Sequence, residues 1–167
     1  MRIVLNIRAG KGDILSPIIS LILRLTEKMH AFNGGIKASR LIHSRDHTIE
    51  VHLPFLQVMG KDCKIVPILF GNPTPENCRV LADAIISSAG DKKVFVLAST
   101  DMSHYLSYES ANKIDTATLE VLQTMNINRL LAPDLQTALC SRGAVGTAIL
   151  FARAKGANHV QVLHYAN

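Results

Sequence analysis

The chain has 167 residues, 48% hydrophobic and 19% charged, a composition that excludes a disordered tail, a disulfide miniprotein and a collagen-like fibre. With 5% aromatics and no Trp the core must be aliphatic, and no stacking platform for single-stranded nucleic acid is evident. The net charge of +5 sits wholly in residues 1–45, where eight Lys/Arg stand against Asp13 and Glu27; without a Lys/Arg run, this speaks against nucleic-acid binding.

Ile3, Val4, Leu5 and Ile7 read as a short buried strand within Met1–Ile7, followed by a turn at Gly10-Lys11-Gly12-Asp13. Ser16 then Pro17 is a helix start, because the hydroxyl can cap and proline is tolerated at the first helical position. Ser16, Ser20, Arg24 and Glu27/Lys28 form one narrow polar stripe, so this helix is mostly buried, and Asn33-Gly34-Gly35 ends it in a loop. The apolar stretch Ile14–Leu25 is too short to span a bilayer, which takes roughly 20 apolar residues. Thr26-Glu27-Lys28-Met29 after it is the wrong chemistry for a signal cleavage site, so the expectation is a soluble protein with no membrane association.

Thr48–Gln57 reads as a helix with Ile49, Leu53 and Leu56 on one side, and Pro54 near its start or at a kink. Cys63–Phe70 is a continuous apolar strand ended by Gly71-Asn72-Pro73. Pro75–Ser88 has Val80, Leu81, Ala84 and Ile85 in helical spacing. Lys93–Ala98 is a further apolar strand, leading into Ser99-Thr100-Asp101. Tyr108–Thr124 reads as a helix with Ala111, Ile114, Thr118, Leu119 and Leu122 inward. Asp134, after Pro133, is a cap for a helix running to about Ala154, and His159–Tyr165 alternates like a closing strand. Apolar strands alternating with helices predict one α/β domain over residues 1–167, with a mainly parallel central sheet flanked by helices on both faces. Function in that architecture sits past the carboxyl ends of strands, where Ser99–His104 lies.

Three clusters can carry chemistry. Asp101 and His104, three apart at a strand exit, can point into one pocket where the carboxylate orients the imidazole for proton transfer. The alternative is that Asp101 caps the next turn and His104 is an exposed loop residue. His47 and Glu50, one helical turn apart beside His43, Asp46 and His52, could face one metal or substrate group, although no third ligand is defined. Cys140, before Ser141-Arg142-Gly143, is either a thiolate-prone or soft-metal position or a plain filler. Cys63, Cys78 and Cys140 fit no zinc-finger spacing, and reduced thiols in a cytosolic protein is the plain reading.

Asp46–Gln57 (DHTIEVHLPFLQ) resembles the (E)HSIE-x-H/Q-LPFLQ motif of the Memo protein family. In the family's order, Lys64–Leu69 resembles its KIVPILVG strand and Ala98–Tyr105 its SSDFSHYG segment. Cys140–Gly143 is similar to the CG-x-G/P turn and Val162–Asn167 to the LLxYxNS strand. The resemblance covers residues 43–167 and implies a fold shared with extradiol, class III non-haem iron dioxygenases, with a metal pocket at the strand ends. It implies His104 as acid/base with Asp101 beside it; His47, Glu50, His52 and Ser103 around the pocket; and Cys140 as a metal ligand for iron or copper. Ammecr-type and radical-SAM proteins are the partners implied. The HAGYxYSG and GPSHH motifs that carry the family's two ligand histidines do not occur, and residues 1–42 are basic and without a motif match. The expectation is therefore an N-terminally truncated member with impaired metal binding, whose raw sheet edge invites a homodimer. A non-catalytic binder of a small ligand or peptide and a degenerate fragment are the alternatives, and whether the chain is an enzyme stays open.

Overall fold

The computed structural model describes residues 3–5, 27–39, 43, 47–59 and 65–166. The chain divides into two compact units, Met1–Gly71 with Ala84–Val94, and Asn72–Asp83 with Phe95–Asn167. It mixes helices with short strands, which bears out an α/β composition at that coarse level.

The first unit holds a three-stranded sheet. Strand β1 (Ile3–Leu5) lies between β2 (Ile36–Ala38) and β3 (Ile68–Phe70). Ile3 stands opposite Ile36 in a parallel pairing and opposite Phe70 in an antiparallel one. The described sheet is thus mixed, where the apolar runs predicted a mainly parallel one. Strand β2 had no strand signal: it is three residues long, and only Ile36 is buried. The helical residues 27–32 stop at the predicted place. Asn33 Oδ1 accepts the Gly35 N–H at 2.7 Å, and the Ile36 N–H donates to Asn33 O at 2.9 Å. That Asx turn reverses the chain into β2. The start of the predicted helix, from Ser16, lies outside the described residues, as does Cys63. Strand β3 opens at Ile68 because Pro67, just ahead of it, has no N–H to give a ladder.

A 3₁₀ turn (Glu50–His52) runs into α1 (Leu53–Met59), with Pro54 in the first turn, where a missing N–H breaks no helical bond. Helix α2 (Pro75–Ala89) matches its prediction to within one residue. Thr74 Oγ1 accepts the Asn77 N–H at 3.1 Å, Pro75 takes the first helical position, and Gly90 supplies the positive φ of 53° that ends the helix.

In the second unit, α3 (Tyr108–Gln123) is capped by Ser107, whose Oγ accepts the Ser110 N–H at 3.3 Å. Asn126 caps the short α4 (Ile127–Leu130) through an Oδ1 bond to the Arg129 N–H at 3.0 Å. Helix α5 spans Arg142–Ala154. Buried Met125, Ile127, Leu130, Leu139 and Ile149 form the core of this unit, with Met102, Val121, Leu122, Val145, Leu150 and Val160 packed against it.

Two expectations are corrected here. The helix predicted from Asp134 begins only at Arg142. Asp134 pairs with Arg129 Nη1 at 2.9 Å instead of capping, while the N–H groups of Ala138 and Cys140 donate to Thr118 Oγ1 and Asp101 O. Donors committed across the chain cannot close helical turns. The predicted strands Lys93–Ala98 and His159–Tyr165 carry no ladder among the described residues, although burial still alternates along them. Phe95 and Leu163 are both 87% exposed, so the continuous apolar run Lys93–Ala98 is covered on one face only, while His159–Tyr165 keeps the alternation read in its sequence.

Candidate functional site

Ser99–His104 and the turn before α5 are fastened to each other by backbone and side-chain bonds. The Cys140 N–H donates to Asp101 O at 3.3 Å, and the Asp101 N–H donates to Cys140 Sγ at 3.2 Å. Thr100 Oγ1 accepts the Ser141 N–H at 3.0 Å and lies 3.5 Å from Cys140 Sγ. With its backbone held by Cys140, Asp101 turns its carboxylate to His104, placing Oδ2 3.2 Å from Nε2. One residue therefore touches both the imidazole and the thiol. The carboxylate is 77% and the imidazole 48% exposed, so this pair orients the ring more than it stabilises the fold.

The loop is anchored from beneath by a residue that sequence reasoning missed. Asp115 is buried on α3 and accepts three hydrogen bonds. The Ser103 N–H reaches Oδ1 at 3.1 Å, while the Ser103 hydroxyl and the Tyr165 hydroxyl reach Oδ2 at 3.1 and 2.8 Å. The Tyr165 hydroxyl also lies 3.2 Å from Asn112 Oδ1. Partial desolvation, then the bond to and charge of Asp115, raises the Tyr165 pKa above its ordinary value. The signal was spacing: Ala111, Asp115 and Thr118 occupy one helical face, and a carboxylate on an inward stripe demands partners. Beyond His104, Tyr105 is fully exposed in the left-handed region at φ 57°, its ring 6.1 Å from the imidazole. Ser103, His104, Leu106, Ile114, Leu135 and Arg142 line a hollow of about 510 Å³.

Of the remaining predicted residues, His47 and Glu50 are exposed and His52 is half-buried, and all three belong to the first unit. Cys78 is wholly buried in the second unit, its thiol 3.5 Å from Gly143 O. Burial pushes that thiol's pKa up against the lowering effects of a Thr147 bond and the Arg79 charge. A Cβ at Gly146 would meet Cys78 Sγ at 3.1 Å, a close contact that the thiol would have to relieve by giving a few tenths of an ångström. Iodoacetamide applied to the native protein is expected to modify Cys140 and spare Cys78 until denaturant is added. Peptide mapping by mass spectrometry reads this out, and equal native-state labelling of the two would contradict the packing.

A metal centre of the expected kind needs three or more donors facing one point. Among the described residues no group of three His, Cys, Asp or Glu side chains is so placed. His104 Nε2 is turned to Asp101 Oδ2, and Cys140 Sγ accepts the Asp101 N–H. Among the described residues, His104 and Cys140 therefore fall short of the three donors that iron or copper takes at such a centre.

The family model described as "Memo-like protein" matches residues 21–167. That span opens ahead of residue 43, where the motif resemblance begins, so residues 21–42 also have a counterpart in the family. A MEMO1 family protein of Methanobrevibacter smithii is 34% identical over 162 residues, covering 93% of this chain and 57% of the relative. One from Archaeoglobus fulgidus is 33% identical over 137 residues, covering 79% and 52%. One from Saccharolobus solfataricus is 38% identical over 120 residues, covering 68% and 42%. The chain spans about half the length of the curated relatives it matches. No solved structure matches it. No helix among the described residues is long and apolar enough to cross a membrane.

Proposed function

This chain belongs to the Memo-like protein family, and from that premise we propose that it is a pocket protein related to the non-haem iron dioxygenases, with impaired metal binding. Its Ammecr-type and radical-SAM partners and its self-association belong to the same proposal. The observation that carries it is Asp101, bonded through its carboxylate to His104 and through its backbone to Cys140. In this reading the hollow beside His104 takes a small ligand. Asp101 holds the imidazole so that a proton can be accepted or returned at a ring nitrogen, Arg142 offers positive charge to an anionic group, and Leu106 and Ile114 shed water from the rest. No step runs through a metal.

A specific observation favours the non-catalytic alternative. The imidazole is 48% and its partner carboxylate 77% exposed, so the pair stands open to solvent and not in the water-excluding enclosure a catalytic site uses. Binding without turnover needs only the hollow and its polar rim. The decisive measurement is elemental analysis after anaerobic incubation with Fe(II) or Cu(I) and gel filtration. Wild type and Cys140→Ala are both expected to retain well under one equivalent. One equivalent retained by wild type and lost in Cys140→Ala would overturn the impaired-metal reading.

A further inference from the structure

On the second unit, away from His104, a groove of about 1030 Å³ shares no lining residue with the smaller hollow. Its polar wall is Arg79 from α2, Asn126, Asn128, Arg153 from α5 and Asn158. Among the described residues neither arginine is paired with a carboxylate, and no Asp or Glu lines the groove. The neighbouring Arg129 is neutralised by Asp134 at 2.9 Å and stands apart.

The charge of the wall is one-sided, two guanidinium groups with no lining carboxylate. Asn126 Oδ1 is taken by the Arg129 N–H, Asn128 Oδ1 accepts from Arg79 Nη2 at 3.4 Å, and Asn158 Oδ1 sits 3.0 Å from His159 Nδ1. Each amide oxygen already has a neighbour within the protein, and each of the three side chains also carries an NH₂ donor that a visitor can use. Two guanidinium groups and three amide donors, with no lining carboxylate, ask for an acceptor-rich anion. The carbonyl end of α5 points at this region and would oppose an anion, but its last carbonyls are already bonded by the N–H groups of Lys155, Gly156 and Ala157. Ile127 and Leu150 supply an apolar floor.

We propose that this groove is a binding site for an organic phosphate, its phosphate held by Arg79 and Arg153 and its apolar body lying on Ile127 and Leu150. The proposal stands independently of the His104 site. The experiment is titration of the full chain with phenyl phosphate, inorganic phosphate and benzyl alcohol, followed by calorimetry and amide chemical shifts. Phenyl phosphate is expected to saturate, inorganic phosphate to bind about tenfold more weakly for want of the apolar contact, and benzyl alcohol not to saturate. Arg153→Gln, at an exposed position that leaves the core untouched, is expected to weaken phenyl phosphate about tenfold or more, with Arg153→Lys losing less. Shifts should map to residues 124–128 and 153–158. Absence of saturation by phenyl phosphate, indifference to both Arg153→Gln and Arg79→Gln, or shifts confined to residues 101–106 would each overturn the proposal. Equal affinity for inorganic phosphate would overturn its organic part.

Discussion

Replacing Asp115 by Ala is expected to lower the melting temperature by roughly 10 °C. The substitution strands the Ser103 N–H, the Ser103 hydroxyl and the Tyr165 hydroxyl, all of which donate to this buried carboxylate. Leaving such donors unmatched costs about 1–3 kcal/mol each. Asn112 Oδ1, already 3.2 Å from the Tyr165 hydroxyl, takes back part of the loss, which leaves a net of about 3 kcal/mol. A chain of this size loses about 2–4 °C per kcal/mol. Asp115→Asn keeps the shape and one acceptor oxygen and should lose about half as much. The diagnostic readout is local: amide hydrogen exchange at Ser103 accelerates in Asp115→Ala at temperatures where the fold is intact. Unchanged exchange there would show that Asp115 does not anchor the His104 loop.

The same network sets a pH dependence. Tyr165 is held neutral in the fold, with its pKa above the ordinary value of 10.0. Its contribution is therefore present in full below that value and lost as pH rises through the raised one. Tyr165→Phe should flatten this alkaline fall in stability, measured as the difference between the two denaturation curves from pH 9 to 11.

What could be read in the chain was whatever local chemistry decides. Helices α2 and α3 fall close to their predicted spans because capping residues and apolar spacing agree there. The Asp101–His104 juxtaposition was legible for a similar reason, since a three-residue separation in a loop leaves the two side chains within reach. The proximity of Cys140 to Asp101 was not local, and it came from family resemblance, not from spacing. The failures are long-range commitments. Nothing near Asp134 announces that Ala138 and Cys140 will donate to Thr118 and Asp101, and that is what delays α5 to Arg142. Strand β2 exists because β1 offers it a parallel edge, while its own residues carry little strand signal. Asp115 was passed over because a helical stripe was scored for apolar residues, and a buried carboxylate declares itself only by its distant partners.

Stability and site geometry can be separated by a second large effect. Leu130 is 1% exposed within the cluster of Met125, Ile127, Leu139 and Ile149, and Leu130→Ala removes buried volume that a packed core refills only in part. The expected cost is about 3–4 kcal/mol, again roughly 10 °C in melting temperature. No polar group is stranded by this change, and Leu130 lines neither the hollow beside His104 nor the arginine groove. Ser103 amide exchange, governed by opening of its own loop, should therefore stay at the wild-type rate in Leu130→Ala while it rises in Asp115→Ala. Equal acceleration in both variants would mean that the loop and the core open as one cooperative unit, and the Asp115 anchor would then have no separate role.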